Sequence, residues 1–199
     1  MGVGMTPHIL ANTYVDVKAL PCTHYYVYIL SLLLAEVPIG DSTSEENPQL
    51  QKAFQEVEAI FQFKPNRLGH ALLLPPVLRD ELMNKWKIPV ETCPTSNVMT
   101  LELAKHVGGN LIHGLQEHPQ LKYWLERKFP ISIGTDDPGV FNTNATQEHL
   151  LLAKAWNVPP ADLKRIVLDS VDQAFCSHAL KIGIKEKLDV FFCKTSQGN

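Results

Sequence analysis

The sequence has no CxxC pair, no basic run, no low-complexity tract and no internal repeat. Each absence removes a class of function. The four cysteines, Cys22, Cys93, Cys176 and Cys193, follow no framework spacing, which points to reduced thiols and a cytoplasmic location rather than a disulfide scaffold. A formal net charge of -3 without clustered lysine or arginine leaves no electrostatic footprint for nucleic acid or for a membrane surface. The longest suspicious apolar stretch, "YYVYILSLLL" over residues 25–34, is about half the length that a spanning helix needs. No basic segment leads into it and no small-residue cleavage pattern follows, so it reads as a buried strand rather than a signal or anchor.

What is there is a globular composition. Of 199 residues, 45% are hydrophobic and 20% charged, enough for one sizeable core. From residue 27 onward the pattern alternates. The apolar run ending in "LLLAEV" gives way to a turn-rich segment. A helical stripe follows in "QLQKAFQEVEAIFQF", with Phe54, Val57 and Phe61 on one face and Leu50 a turn earlier. "RLGHALLL" reads as strand, and "PPVLRDELMNKW" as a helix opened by proline. "IPVETCPTSN" reads as strand plus turn, and Val98 to His118 as mixed, with a short helix in its first part only. "PQLKYWLERK" is a helix that feeds the strand in "FPISIGTDD"; beyond it "TQEHLLLAKAW", "PPADLKRIVLDSVDQAF" and a weaker terminal segment are helical.

Strands alternating with helices imply a parallel sheet. Each strand end carries a polar residue: Glu36, His70, Ser96 with Asn97, and Asp136 with Asp137. Taken alone, "DDPG" is ordinary turn chemistry. Four decorated strand ends in register favour a site, because parallel α/β folds place their chemistry at the C-terminal ends of strands. Two adjacent carboxylates repel unless something neutralises one of them. A metal would do so, leaving the other to hydrogen-bond a substrate. A carboxylate ligand, a histidine that orients water and a glutamate that moves protons are the parts of metal-assisted hydrolysis. His106, His113 and His118, in "HVGGNLIHGLQEHP", fit no common zinc spacing and read as a polar surface loop.

"AEV", "RLGH", "ETCPTSN" and "SIGTDDPGVF", in this order and at these separations, resemble the C-terminal half of adenosine deaminases. The wording "LAEVP" and "GTDDPGVFNT" is nearest the adenosine deaminase-like branch, which acts on N6-methyl-AMP. The resemblance covers roughly residues 34–190. It implies the second half, about four βα units, of a (β/α)8 TIM barrel of the metal-dependent hydrolase type. It divides the chain into an unplaced, foreign-looking N-terminal segment (1–33), a half-barrel (34–190) and a tail (191–199). It also implies roles: Glu36 as proton donor to the purine ring, His70 orienting a zinc-bound hydroxide, Asp136 as zinc ligand, and Asp137 hydrogen-bonding the purine. The partner would be a small-molecule purine nucleoside or nucleotide.

The chain departs from that pattern at the metal. The family's ligating histidine, three residues before the glutamate, is Leu33 here, and no His-x-His pair occurs anywhere. A whole barrel takes about 250 residues. These features lead to the expectation of a truncated or misjoined product without activity, with non-catalytic remnant or interaction module as the alternative. An open half-barrel also exposes sheet edges and apolar area, which favours self-association. Cytidine-type deaminases are a poor alternative, because their zinc site needs a PCxxC run and "TCPTS" is not one.

Overall fold

The computed structural model describes residues 26–29 and 48–196; Leu33 and Glu36 lie outside the described residues. The described strands, β1 (Tyr26–Ile29), β2 (Arg67–His70), β3 (Val90–Thr92) and β4 (Ile131–Ile133), form one parallel sheet in sequential order. Register pairs Ile29 with His70, Leu68 with Val90, and Val90 with Ile131. A parallel neighbour requires a crossover. Those between the strands carry α1 (Pro48–Phe63), then α2 (Pro76–Glu81) widening into a π-helical turn at Leu82–Trp86, then α3 (Pro94–Thr100), α4 (Leu111–Gln116) and α5 (Leu121–Glu126). After β4 come a one-turn helix, α6 (Pro138–Phe141), then α7 (Ala145–Trp156), α8 (Pro160–Gln173) and α9 (His178–Ser196).

Strand residues Leu68, Val90 and Ile131 are fully buried and meet Phe61 of α1, Leu78 of α2, Trp124 of α5, Leu152 of α7 and Ile166 of α8 in one core. The stripe expected on α1 is the face that packs, with Val57 and Phe61 buried and Phe54 partly so. Among the described residues no helix is long and apolar enough to cross a membrane.

Tyr26–Ile29 is strand, as the run "YYVYILSLLL" is expected to be, and pairs with β2 along its whole length; two tyrosines and two β-branched residues suit a pleated surface. Three local expectations change. "RLGHALLL" is strand only as far as His70, because His70 and Ala71 take φ of 58° and 46° and turn the chain. "PTSN" opens α3 rather than a turn, with Pro94 in the first helical turn, where its missing N–H costs nothing. The Val98–His118 stretch holds more helix than expected: a short 3-10 turn at Lys105–Val107, and α4, whose start is fixed by Asn110 Oδ1 accepting from the N–H groups of Ile112 and His113. At the far end, α9 runs to Ser196, into the stretch read as a tail.

Candidate active site

Because the strands are parallel and in register, their C-terminal ends fall on one edge of the sheet. There β2 delivers His70 and the loop after β4 delivers Asp136. His70 Nε2 stands 3.6 Å from Asp136 Oδ2, longer than a hydrogen bond but close enough for strong electrostatic influence. Both residues are held with positive φ, 58° and 56°. Ala71 N–H donates to Gly69 O at 2.7 Å, closing a three-residue turn centred on His70. Non-glycine residues at positive φ carry strain on the order of 1–3 kcal/mol and concentrate at functional sites.

His70 is buried and its other ring nitrogen is engaged: Nδ1 lies 2.7 Å from Asn97 Oδ1. Asn97, fully buried at the start of α3, has Nδ2 3.0 Å from Thr92 Oγ1 and 3.1 Å from His118 Nε2. His118 Nδ1 in turn accepts from the backbone N–H groups of Gln120 (3.1 Å) and Leu121 (3.0 Å), so its ring caps the start of α5. Burial pushes His118 down to about 3, with the charge of His70 adding to the effect, so its imidazole is neutral. The expected polar surface loop is therefore wrong at this residue: His106 and His113 are exposed, but His118 is buried among polar partners.

Asp136 Oδ2 accepts from Ser96 Oγ at 2.7 Å. This contact ties the loop after β4 to the first turn of α3. Asp137 is exposed and acts locally. Its Oδ1 accepts from Gly139 N–H (3.0 Å) and Val140 N–H (3.1 Å), capping α6. Cys93, buried between β3 and α3, is pushed up to about 12, first by burial and then by the charges of Glu91 and Asp136. It is a thiol. Glu148 of α7 is fully buried; its Oε2 accepts from Thr95 N–H at 2.9 Å, and its Oε1 accepts from Thr143 Oγ1. It thus satisfies one of the orphan N–H groups at the start of α3, the helix that carries Ser96 and Asn97.

Of the four expected site residues, His70 and Asp136 are brought together, Asp137 follows on the same loop, and Glu36 is outside the described residues. Donor atoms of His70, Cys93 and Asp136 lie within 4.8 Å of one another. Nitrogen, sulfur and oxygen are the donor types zinc takes, but a catalytic zinc needs three protein ligands and an open position. Cys93 would have to give up its proton to bind a metal, and His70 turns Nε2 toward Asp136. The described residues thus bring together three candidate donors, of which the resemblance assigns only Asp136 as a zinc ligand.

The family model described as adenosine deaminase matches residues 52–191. The "N6-Methyl-AMP deaminase-L" of Xenopus laevis is 30% identical over 134 residues, covering 67% of this chain and 36% of that protein. The crystal structure of the Arabidopsis N6-mAMP deaminase superposes with a TM-score of 0.66 at 24% identity, covering 94% of this chain and 47% of the other. A crystal structure of Arabidopsis ADAL complexed with IMP gives a TM-score of 0.59 at 24% identity over 77% of this chain and 46% of the other. The chain therefore spans between a third and a half of the length of these relatives. Its parallel βα units are part of a (β/α)8 barrel, as the order and parallel pairing of its strands imply.

Proposed function

This chain belongs to the adenosine deaminase family, and we propose that its strand-end site serves hydrolytic deamination at C6 of a purine: adenosine, AMP or N6-methyl-AMP. The observation that carries the reading is the pairing of His70 with Asp136, 3.6 Å apart, with Asp136 held by Ser96. The oxygen of water adds at C6, and the amine leaves as ammonia, or as methylamine from the N6-methylated nucleotide. Asp136 would be the carboxylate that holds zinc, which when bound would supply an activated water. His70 would orient the attacking water, and Glu36 would give a proton to the purine ring. Asp137 accepts a hydrogen bond from the purine through Oδ2, since Oδ1 is occupied in capping α6. A nucleotide substrate agrees with the IMP bound by the Arabidopsis relative.

The metal is where this chain falls short. With Leu33 at the position of a family histidine and no His-x-His pair, the sequence lacks the family's histidine pattern for the remaining ligands. General acid–base assistance alone is worth on the order of 10² to 10⁴ in rate, too little to replace a metal-activated nucleophile. The 199-residue chain should retain no zinc through gel filtration and release no ammonia or methylamine from the three purines. Turnover that is lost in Asp136→Ala would show that other residues replace the missing histidines.

Leu33 also favours a second reading, a non-catalytic family member kept for interaction, including self-association through the open sheet. Sedimentation of the purified chain tests that association: a monomer at high concentration would count against it. The two readings part when the missing histidines are supplied by a relative's upstream strands.

A further inference from the structure

The amide of Asn97 sits between two imidazoles, and its orientation decides what His70 presents to the site. His118 fixes that orientation. Its Nδ1 accepts from two backbone N–H groups, of Gln120 at 3.1 Å and Leu121 at 3.0 Å. Backbone amides cannot exchange donor for acceptor, so Nδ1 carries no proton. A neutral imidazole then has its single proton on Nε2. That Nε2–H points at an Asn97 amide atom 3.1 Å away. If the atom were Nδ2, two donors would face each other in a fully buried pocket, which is unfavourable by the full cost of an unmade hydrogen bond. The oxygen and nitrogen of an asparagine amide have nearly the same shape, and the hydrogen-bond network decides between them. Turning the amide over resolves every contact. Its oxygen accepts from His118 Nε2–H and from the Thr92 hydroxyl, and its nitrogen donates to His70 Nδ1.

We infer that Asn97 and His118 are positioning residues that lock His70 as the Nε2–H tautomer, so that His70 presents a hydrogen-bond donor, not a lone pair, toward Asp136. The inference rests on the proposed reading only in making His70 part of the deamination site. In this state His70 cannot ligate a metal through Nε2 and cannot take a proton there. It can donate a hydrogen bond to an oxygen held beside Asp136, which is what orienting a nucleophile requires. The chain of fixed contacts runs from the backbone at the start of α5, through His118 and Asn97, to the strained turn at His70.

The test is a spectroscopic reading of ring protonation in the full chain, with no substrate and no metal. Two-bond ¹⁵N–¹H correlation of histidine-labelled protein at about pH 8, where an ordinary histidine is neutral, distinguishes the two tautomers. The expected result is Nε2–H at both His70 and His118. In Asn97→Asp, position 97 carries only acceptors; His118 should stay Nε2–H, while His70 moves to Nδ1–H. A wild-type His70 protonated on Nδ1, or an Asn97→Asp variant that leaves the His70 tautomer unchanged, overturns the inference. The wild-type spectrum decides the question alone if the variant does not fold. The readout does not involve turnover, so an inactive chain leaves the inference standing, and a reversed tautomer leaves the deaminase reading standing.

Discussion

Acid should destabilise this protein through one histidine, and the size of the effect follows from its burial. His118 is held at about 3 in the folded chain against an ordinary 6.5. Folding therefore keeps the ring neutral, whereas the unfolded chain takes up a proton as soon as pH falls below 6.5. The stability that depends on the neutral ring is intact above that point and is lost progressively as pH falls from 6.5 toward 3. Each pH unit within this window costs about 1.4 kcal/mol for one proton. Between pH 7 and pH 5 the loss comes to about 2 kcal/mol, and any folded value below about 4.5 gives nearly the same figure. Carboxylates also respond to acid, so the comparison is with His118→Gln, which does not titrate and keeps an amide donor for Asn97. Urea unfolding at both pH values should show wild type losing about 2 kcal/mol more than the variant. Parallel losses in the two proteins would refute the burial argument.

Glu148→Ala should cost about 3 kcal/mol, because Thr95 N–H and the Thr143 hydroxyl lose a shared buried acceptor; Glu148→Gln, which keeps a carbonyl oxygen, should cost less, and equal urea midpoints would contradict this. Cys93 should resist thiol reagents while Cys193 reacts, since one is a buried thiol pushed up to about 12 and the other is exposed; rapid modification of Cys93 in the folded chain, read by peptide mass, would contradict it. Gly114→Ala should lower the melting temperature although alanine favours helix. A methyl group there would meet Val98 Cγ1 at 2.9 Å and Ala104 Cα at 3.0 Å, an overpacking worth about 1–3 kcal/mol.

The parallel order of the described strands and the approach of His70 to Asp136 were legible because strand-end residues are local signals. "RLGH" and "GTDD" each place a titratable group just where an apolar run stops, and the fold then brings them to one edge. The support around the pair was harder to read. Asn97 was visible only as a polar strand-end neighbour; its bridging role depends on His118, twenty-one positions away. His118 lies in a glycine-containing polar stretch whose composition suggests surface, and burial outweighs composition there. Its signal was positional: the ring precedes Leu121 by the spacing of a helix cap. "PTSN" contained its own marker in Pro94, a helix opener that also serves in turns. Glu148 carried no signal in the sequence, because nothing there shows that α7 packs against the start of α3.

The central claim, that these residues form the downstream part of a purine deaminase site lacking only its upstream metal ligands, is tested most directly by a chimera. Strands from the Xenopus N6-methyl-AMP deaminase-L, up to the position of Leu33, would be joined to this chain from Leu34 onward, with histidine at the position of Leu33. With zinc bound, the account predicts methylamine release from N6-methyl-AMP that is abolished by Asp136→Ala and by His70→Ala. A folded, zinc-loaded chimera with no turnover on N6-methyl-AMP, AMP or adenosine would contradict it.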